Sequence, residues 1–290
     1  MHSNRAIDVP LSEFPPGSDA RGARLNGRAL FRFTADSPEP TMEPAAGPVE
    51  VRTWNVQNVS GTGQIGANRV ERIYNSAMSS NVAETFIRLG AEFHRRGWVL
   101  GTSGNFSAVT SRDPLRLFIT ASSMDKGRLT ADHFLEVDQS GRAVNGAGGK
   151  PSAETLLHIA VVRATGAASV LHTHSVWSTV LSDFHAGEGG FFIEGYEMLK
   201  GLEGITTHEH REWIPILENT QDMKALAAEA SALLQKKPGV HGILIRQHGL
   251  YTWGKDLDAA ARHVEILEFL FESIGRRRMI DPKPGAKRRK

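Results

Sequence analysis

The most informative absence in this chain of 290 residues is cysteine, of which it has none. A chain without thiols forms no disulfide bonds and can offer a metal ion only histidine and carboxylate side chains. Long apolar runs are also missing, because no run reaches the roughly 18 residues of a membrane-spanning helix. The first thirty residues lack the apolar stretch of a secretory signal peptide. We therefore expect a cytoplasmic protein without a membrane partner.

The chain has no large excess of charge of either sign, since 34 basic and 32 acidic residues leave a formal net charge of +2. A chain so close to balance gives no reason to expect nucleic acid as a partner. Basic residues are concentrated near the carboxyl end, in Arg276–Arg278 and Lys287–Lys290. Such terminal runs are usually solvated, so we interpret residues 276–290 as a basic tail.

Regular hydrophobic periodicity is missing from residues 1–78. Proline, glycine, serine, asparagine and glutamate dominate there, as in Glu39–Pro44. A segment that cannot bury enough apolar surface does not fold by itself, so we predict a disordered extension. The alternative is a small capping element with a helix near Arg69–Met78.

Helical and strand patterns alternate from residue 79 to about residue 275. An α/β domain over residues 79–275 is the simplest account of this alternation. The spacing predicts helices that begin near Asn81, Ser152, Ser175, Asp222 and Asp256, and strands at Leu115–Thr120, Phe134–Val137, Ala168–His172, Trp213–Leu217 and Val240–Arg246.

The strand predicted at Ala168–His172 leads directly into a pair of histidines, His172 and His174. Residues two apart in a strand point to the same face, so both imidazoles are expected on one side. His248 follows a second apolar run and is the best candidate for a third ligand. Three imidazoles are a common donor set for a catalytic zinc ion. A His-x-His pair alone is weak evidence, because the chain has 12 histidines.

Five short motifs surround these histidines in a fixed order: Gly104–Ser107, Thr120–Ser123, Lys150–Glu154, His172–Ser175 and His248–Gly249. Their order and spacing resemble the class II aldolase/adducin family over roughly residues 82–272. The resemblance implies a three-layer α/β/α fold with a mainly antiparallel central sheet. It also implies a homotetramer with sites near the subunit interfaces.

The same resemblance implies one Zn²⁺ per subunit, bound by His172, His174 and His248, and a small sugar phosphate as substrate. Matching positions for the phosphate are Asn105, Ser122, Ser123 and Ser152. Lys126 could add positive charge there, but an exposed lysine is the ordinary expectation.

Two glutamates compete for the role of general acid/base. Glu197 lies in the stretch Glu197–Gly201, which resembles a branch of the family that dehydrates a ketose phosphate, and we predict that it is the catalytic residue. Glu154 matches the acid/base of the aldolase branch, and we keep it as a second acid/base or as a residue supporting the metal ligands. His158, one helical turn after Glu154, is expected to pack or to support ligands.

Three functional hypotheses follow. The first is a zinc-dependent dehydratase of a ketose phosphate, and the alternative is an aldolase or epimerase acting on another ketose phosphate. Ala153 stands where the aldolase branch usually has a second serine, which argues mildly against the alternative. A non-catalytic binding module is disfavoured, because all three candidate ligands are present.

Overall fold

The computed structural model describes residues 80–144 and 149–280, together with the main chain of three short strands near the amino terminus. These strands form an antiparallel sheet in the order β1-β3-β2: β1 (Asp8–Pro10), β2 (Arg24–Leu25) and β3 (Arg28–Leu30). Regular structure thus occurs at three places in a segment for which the sequence predicts none. The rest of the extension and its alternative helix at Arg69–Met78 lie outside the described residues, so the disordered extension stays a prediction.

The chain divides into two units, Met1–Asn58 and Val59–Lys290. The centre of the second unit is an eight-stranded sheet in the order β6-β5-β4-β7-β11-β10-β9-β8. Its strands are β4 (Asn105–Arg112), β5 (Leu115–Thr120), β6 (Phe134–Asp138), β7 (Ser169–Thr173), β8 (Gly190–Glu194), β9 (Arg211–Leu217), β10 (Gly242–Ile245) and β11 (Gly249–Gly254). All neighbouring pairs are antiparallel except β9 with β10. The mainly antiparallel sheet is as predicted.

Helices cover both faces of this sheet: α1 (residues 80–95), α2 (Thr155–Thr165), α3 (Val176–Phe184), α4 (Met223–Lys236) and α5 (Leu257–Ile280). α2 and α4 pack on one face, and α1, α3 and α5 pack on the other. Successive residues of β7 show the division, because Val170 packs in the cluster that contains α2 and α4 and Leu171 in one that contains α1 and α5. The predicted three-layer α/β/α fold is confirmed. None of the helices described is long and apolar enough to span a bilayer.

Two predicted boundaries differ from the structure. α5 continues to Ile280, so residues 276–280 of the predicted basic tail are helical, and all of them except Arg278 are exposed. Residues 281–290 lie outside the described part, so the solvated tail stays a prediction. α2 begins at Thr155 and not at Ser152, whose hydroxyl instead accepts from the backbone N–H of Glu154 at 3.3 Å. The extra turn before α2 brings Ser152 and Glu154 to the carboxyl end of β7.

That end of β7 is where the chain gathers its polar side chains. Asn105 at the start of β4 lies opposite His172, and Leu250 near the start of β11 lies opposite Thr173. The antiparallel register therefore brings the beginnings of β4 and β11 to the end of β7. β10 also ends here, because Ile245 pairs with Gly249.

Candidate metal centre

Backbone geometry fixes where the three histidines meet. His172 is the fourth residue of β7, and His174 follows the strand before Ser175 caps α3 by accepting from the N–H of Ser178. His248 sits in the tight turn between β10 and β11, next to Gln247, whose φ is 54°. Gly249 lies against β7 so closely that a Cβ there would overlap the carbonyl oxygen of Thr173. The turn can approach β7 only because residue 249 has no side chain.

The imidazole nitrogens of the three histidines converge on one point. Nε2 of His172 lies 2.8 Å from Nε2 of His174 and 3.2 Å from Nε2 of His248, and the last two atoms are 3.1 Å apart. Ligands of a tetrahedral ion with metal–nitrogen distances of about 2.0–2.1 Å are about 3.3 Å apart. The triad therefore has nearly the spacing that a bound ion requires.

The protonation state of His172 also suits a metal ligand. Its Nδ1 lies 2.8 Å from the carbonyl oxygen of Leu250, so Nδ1 carries the proton and Nε2 presents a lone pair. Burial lowers the pKa of His172 well below its usual value and that of His174 to about 4, so both are neutral near pH 7. Neutral lone pairs that face one another repel, and a divalent cation between them removes that repulsion. The donor set fits such an ion.

Glu154 adds a carboxylate to the triad. Its Oε1 lies 3.0 Å from Nε2 of His248 and 3.6 Å from Nε2 of His172. Within the described residues, this is the one group of histidine and acidic donors with metal-binding spacing, and its four donor atoms lie within 4.8 Å of one another. Burial would raise the pKa of Glu154, but His172, His248 and the hydrogen bond from Asn105 together hold it far below its usual range. The carboxylate is ionised.

A hydrogen-bonded chain behind Glu154 fixes its orientation. Nδ2 of Asn105 donates to Oε2 of Glu154 at 2.5 Å, and Oδ1 of Asn105 accepts from Nε2 of His158. Nδ1 of His158 then accepts from the hydroxyl of Ser107 at 2.7 Å. Burial lowers the pKa of His158 to about 4, so the ring stays neutral and keeps these directions. His158 supports the site from behind, as the sequence indicated.

A cavity opens beside the triad and contains every residue that the sequence nominated for phosphate. Asn105, Ser122, Ser123 and Ser152 all line it, next to Glu154 and His174. Ser123 has a φ of 63°, a left-handed conformation that bends the chain after β5 around the cavity. The structure therefore brings together residues from four separate motifs, although their role as phosphate ligands stays a prediction.

Lys126 lines the same cavity, and the ordinary expectation of an exposed lysine is wrong. Only 1% of the residue is accessible to solvent. Its Nζ donates to the carbonyl oxygens of Thr102 and Met124, at 3.0 and 2.8 Å. Nothing in the local sequence signals this burial, because it depends on α1 packing over the turn that carries the lysine.

Tyr251 is a second residue that sequence reasoning missed. Its ring stacks on the ring of His172, with centroids 3.8 Å apart and planes 12° apart, and it meets His158 edge-on. The side chain is fully buried. Burial and the nearby charge of Glu154 raise its pKa well above the usual value, so the phenol stays protonated. The only sequence signal was its position two residues after Gly249.

Glu197 is the one predicted site residue that the fold does not bring to the triad. It begins a 3-10 turn, Glu197–Gly201, and pairs with Lys200 at 2.5 Å and with His208 at 3.6 Å. Its side chain is 71% exposed. β9 runs parallel to β10 and antiparallel to β8, so β8 ends, just before Glu197, at the end of the sheet opposite to the triad. Within one chain, Glu197 and the histidines are far apart.

Curated relatives resemble the chain over nearly their whole length. A methylthioribulose-1-phosphate dehydratase of Sorangium cellulosum is 42% identical over 197 residues, which is 68% of this chain and 92% of the relative. The methylthioribulose-1-phosphate dehydratase of Methylococcus capsulatus is 45% identical over 191 residues, covering 66% and 91%.

The fold and the family agree with these relatives. A putative aldolase/epimerase/decarboxylase from Escherichia coli superposes with a TM-score of 0.59 at 24% identity, covering 71% of this chain and 93% of its own. Residues 84–274 match the family described as Class II Aldolase and Adducin N-terminal domain. This match spans the whole sheet, the triad and the cavity, and the chain belongs to the class II aldolase and adducin family.

Proposed function

We propose that the protein removes water from 5-methylthioribulose 1-phosphate and gives 2,3-diketo-5-methylthiopentyl 1-phosphate, a reaction of methionine salvage. The observation that carries this choice of substrate is the 42–45% identity to methylthioribulose-1-phosphate dehydratases across 91–92% of their length. The site is chemically suited to the reaction, because a triad of imidazoles with converging Nε2 atoms adjoins a cavity lined with hydroxyl and amide groups.

His172, His174 and His248 would hold a divalent ion, for which we propose Zn²⁺, one per subunit. The ion, when bound, supplies Lewis acidity that makes the proton at C3, beside the C2 carbonyl, easier to remove. Glu154 and its chain of Asn105 and His158 keep the donor atoms in place before substrate arrives. Loss of the C3 proton and of hydroxide from C4 releases one water and leaves an enol, which becomes the diketone.

The cavity is proposed to hold the phosphate of the substrate. Hydroxyls of Ser122, Ser123 and Ser152 and the amide of Asn105 are groups that donate to phosphate oxygens. A phosphate anchored there would place C2 and C3 beside the triad, since His174 lines the same cavity.

Glu197 is proposed as the acid/base that moves the proton at C3 or at the leaving hydroxyl. Because the topology separates it from the triad of its own chain, it can act only on the site of a neighbouring copy. We therefore propose that the enzyme is a homotetramer whose sites are completed between subunits. The 71% exposure of the Glu197 side chain makes the carboxylate accessible to a neighbouring copy, although it pairs with Lys200 within its own chain.

A second candidate function, an aldolase or epimerase acting on another ketose phosphate, rests on Glu154. Its carboxylate already lies 3.0 Å from the triad, where it could move a proton without help from another copy. Product analysis separates the two, because dehydration keeps all carbons in one product and aldol cleavage breaks the C3–C4 bond.

The direct test is incubation of the zinc-loaded protein with 5-methylthioribulose 1-phosphate. We expect water loss and a single diketone phosphate, detected by mass spectrometry. Two smaller fragments in place of the diketone would show the aldolase reaction, and unchanged substrate would refute the proposal.

Mixed assemblies test the shared site. Glu197→Gln is expected to lose about 10²–10⁴-fold in turnover, the usual contribution of acid/base catalysis. The double variant His172→Ala/His174→Ala, which lacks two metal ligands, is expected to lose at least as much. Assemblies containing both variants should regain activity, because an intact triad of one copy can meet an intact Glu197 of the other. Glu154→Gln mixed with the same double variant is the control and should gain no activity beyond that of Glu154→Gln alone, since Glu154 and the triad belong to one chain. Failure of the first mixture to recover would remove the partner role of Glu197.

A further inference from the structure

Lys126 is a buried cation that the proposed chemistry leaves without a role. It begins a 3-10 turn, Lys126–Arg128, and its side chain enters the cavity beside the triad. Both hydrogen bonds that Nζ makes in the described part of the chain go to main-chain carbonyls, of Thr102 and Met124. An ammonium group has three N–H donors, so one donor is left for a ligand in the cavity.

The burial of this ammonium is costly, because only uncharged carbonyls replace its water. Desolvation lowers the pKa of Lys126 to about 8, and the more distant charges of Glu154 and Asp125 oppose the shift without cancelling it. The nearest acid in sequence, Asp125, is engaged elsewhere, since its Oδ1 accepts from the N–H of Gly127 at 2.9 Å. Buried charges in proteins are ordinarily paired, so a buried cation without a contacting carboxylate is a candidate site for an anionic ligand.

The fold holds Lys126 in this place through two close backbone contacts. Gly90, in the middle of α1, lies on the carbonyl of Lys126, where a Cβ would collide with the oxygen. Gly127 lies under the ring of His94, where a Cβ would come within 2.6 Å. A glycine inside a helix costs about 1 kcal/mol relative to alanine. That cost is offset by a close approach which directs the lysine into the cavity.

Charge in the cavity is divided between two sides. The carboxylate of Glu154 is drawn towards the triad, with Oε1 near His248 and Oε2 bonded to Asn105. Lys126 is the cationic side chain among the described residues that line the cavity, next to the hydroxyls of Ser122 and Ser123. The anion of a substrate is therefore attracted to the lysine side.

We infer that Lys126 binds the phosphoryl group of the substrate and makes the site selective for phosphorylated ketoses. This inference rests on the proposed function only for the identity of the sugar. The cavity, the free N–H and the surrounding hydroxyls point to a phosphate dianion whatever the carbon skeleton is. A charge-assisted hydrogen bond from a buried ammonium discriminates strongly against a neutral hydroxyl at the same place.

The test measures phosphate binding and turnover separately in the zinc-loaded protein. We expect Lys126→Met to weaken the binding of inorganic phosphate, measured by titration calorimetry, by about 10- to 100-fold. For 5-methylthioribulose 1-phosphate, KM should rise by a similar factor with a smaller change in kcat. Zinc content should stay at the wild-type level, because Lys126 holds no metal ligand.

Lys224→Met, which removes the same charge from an exposed position on α4, is the matched control and should bind phosphate as the wild type does. Lys126→Gln removes the charge but keeps amide donors for the carbonyls of Thr102 and Met124, and it should show the same loss if the protein folds. Unchanged phosphate affinity in either folded Lys126 variant would overturn the inference. Failure of both variants to fold would also overturn it and assign the lysine to holding the two main-chain segments. Phosphate binding is measured without turnover, so a wrong sugar in the proposed function does not affect this result.

Discussion

At the residue scale, the candidate metal centre depends on contacts that each fix the orientation of one donor side chain. The carbonyl of Leu250 sets the tautomer of His172, and the stacked ring of Tyr251 sets its plane. Asn105 directs the carboxylate of Glu154 towards the triad. Donors that are already held in place lose little conformational entropy when an ion binds, so ion affinity depends mainly on the donors themselves. Removal of the donors should therefore abolish ion binding and leave the rest of the fold intact.

Replacement of two ligands tests this directly. In His172→Ala/His174→Ala, a bound ion would keep His248 and Glu154 alone, so we expect affinity to fall by at least about 100-fold and zinc to be absent after dialysis. Metal content measured by plasma mass spectrometry checks the expectation. His208→Ala, which changes a half-exposed ring near Glu197, should keep a full complement. A full complement in the double variant would show that the ion binds elsewhere.

The same scale shows where sequence reasoning reaches its limit. His172 and His174 were predictable because a strand imposes period two on its side chains, whatever the rest of the chain does. The burial of Lys126 was not, because it requires Gly90 of α1 to pass over a turn 36 residues further along the chain. Long-range packing of this kind leaves no local pattern.

At the scale of elements, β11 and β8 were absent from the predicted strands for different reasons. β11 is buried along its whole length, so Gly249–Gly254 shows none of the alternation that marks a half-exposed strand. β8 begins at Gly190, whose φ of 147° and contact with Trp213 belong to a bend and not to a standard strand start. The direction of β8 decides where Glu197 lies, so the separation of Glu197 from the triad could not be read from the sequence.

The contact between β11 and β7 is the element on which His248 depends. Gly249→Ala would push a methyl group into the carbonyl of Thr173, so either the hairpin moves away from β7 or the strand pair opens. We expect a loss of about 2–4 kcal/mol in the free energy of unfolding and a lower zinc content, because His248 moves with the hairpin. Urea unfolding and metal analysis give the two values.

Gly187→Ala provides the control for this substitution. A Cβ at 187 meets no atom within 4 Å, so stability should change by less than about 1 kcal/mol. Equal stability of the two variants would mean that β7 and the hairpin tolerate more separation than their packing indicates.

At the scale of the whole molecule, the end of the sheet opposite to the triad carries a buried ionic network. Nδ1 of His241 lies 3.0 Å from Oε1 of Glu212, and Nε2 lies 2.8 Å from the carbonyl of Glu203, so both nitrogens donate and the ring is charged. Oε2 of Glu212 accepts from His210 at 2.7 Å. The neutral ring of His263 packs edge-on against His241. The network ties β9, the start of β10 and the loop before β9 together.

This network makes stability depend on pH in a definite direction. Burial would lower the pKa of His241, but the hydrogen bond and charge of Glu212 outweigh it and raise the pKa. The contribution of the protonated ring is thus complete below the unfolded pKa of about 6.5 and is lost as pH rises through the folded value. Burial would raise the pKa of Glu212, but its histidine partners lower it, so its contribution is present above about pH 4.5. The pair is worth most between these limits.

Comparison with His241→Gln isolates this contribution from that of the buried neutral histidines, whose lowered pKa values favour folding at higher pH. We expect the wild type to exceed the variant by about 3 kcal/mol in unfolding free energy near pH 6 and by less at pH 9. Urea denaturation across this range measures the difference. His208→Gln, at an exposed ring, should show no such trend. A difference that stays constant with pH would mean that His241 is not charged in the folded protein.

The donor set of the metal centre has a consequence for how the protein ages. Thiolate ligands lose zinc when they are oxidised to sulfenic and sulfinic acids, but imidazole nitrogens and carboxylates do not undergo this oxidation. The chain also has no cysteine at which such oxidation could start. A centre of this composition that holds a redox-inert ion should outlast peroxide and alkylating reagents that inactivate thiol enzymes. In a cell under oxidative stress, its failure would begin at methionines or at unfolding, and the imidazole and carboxylate donors would be among the last groups to be damaged.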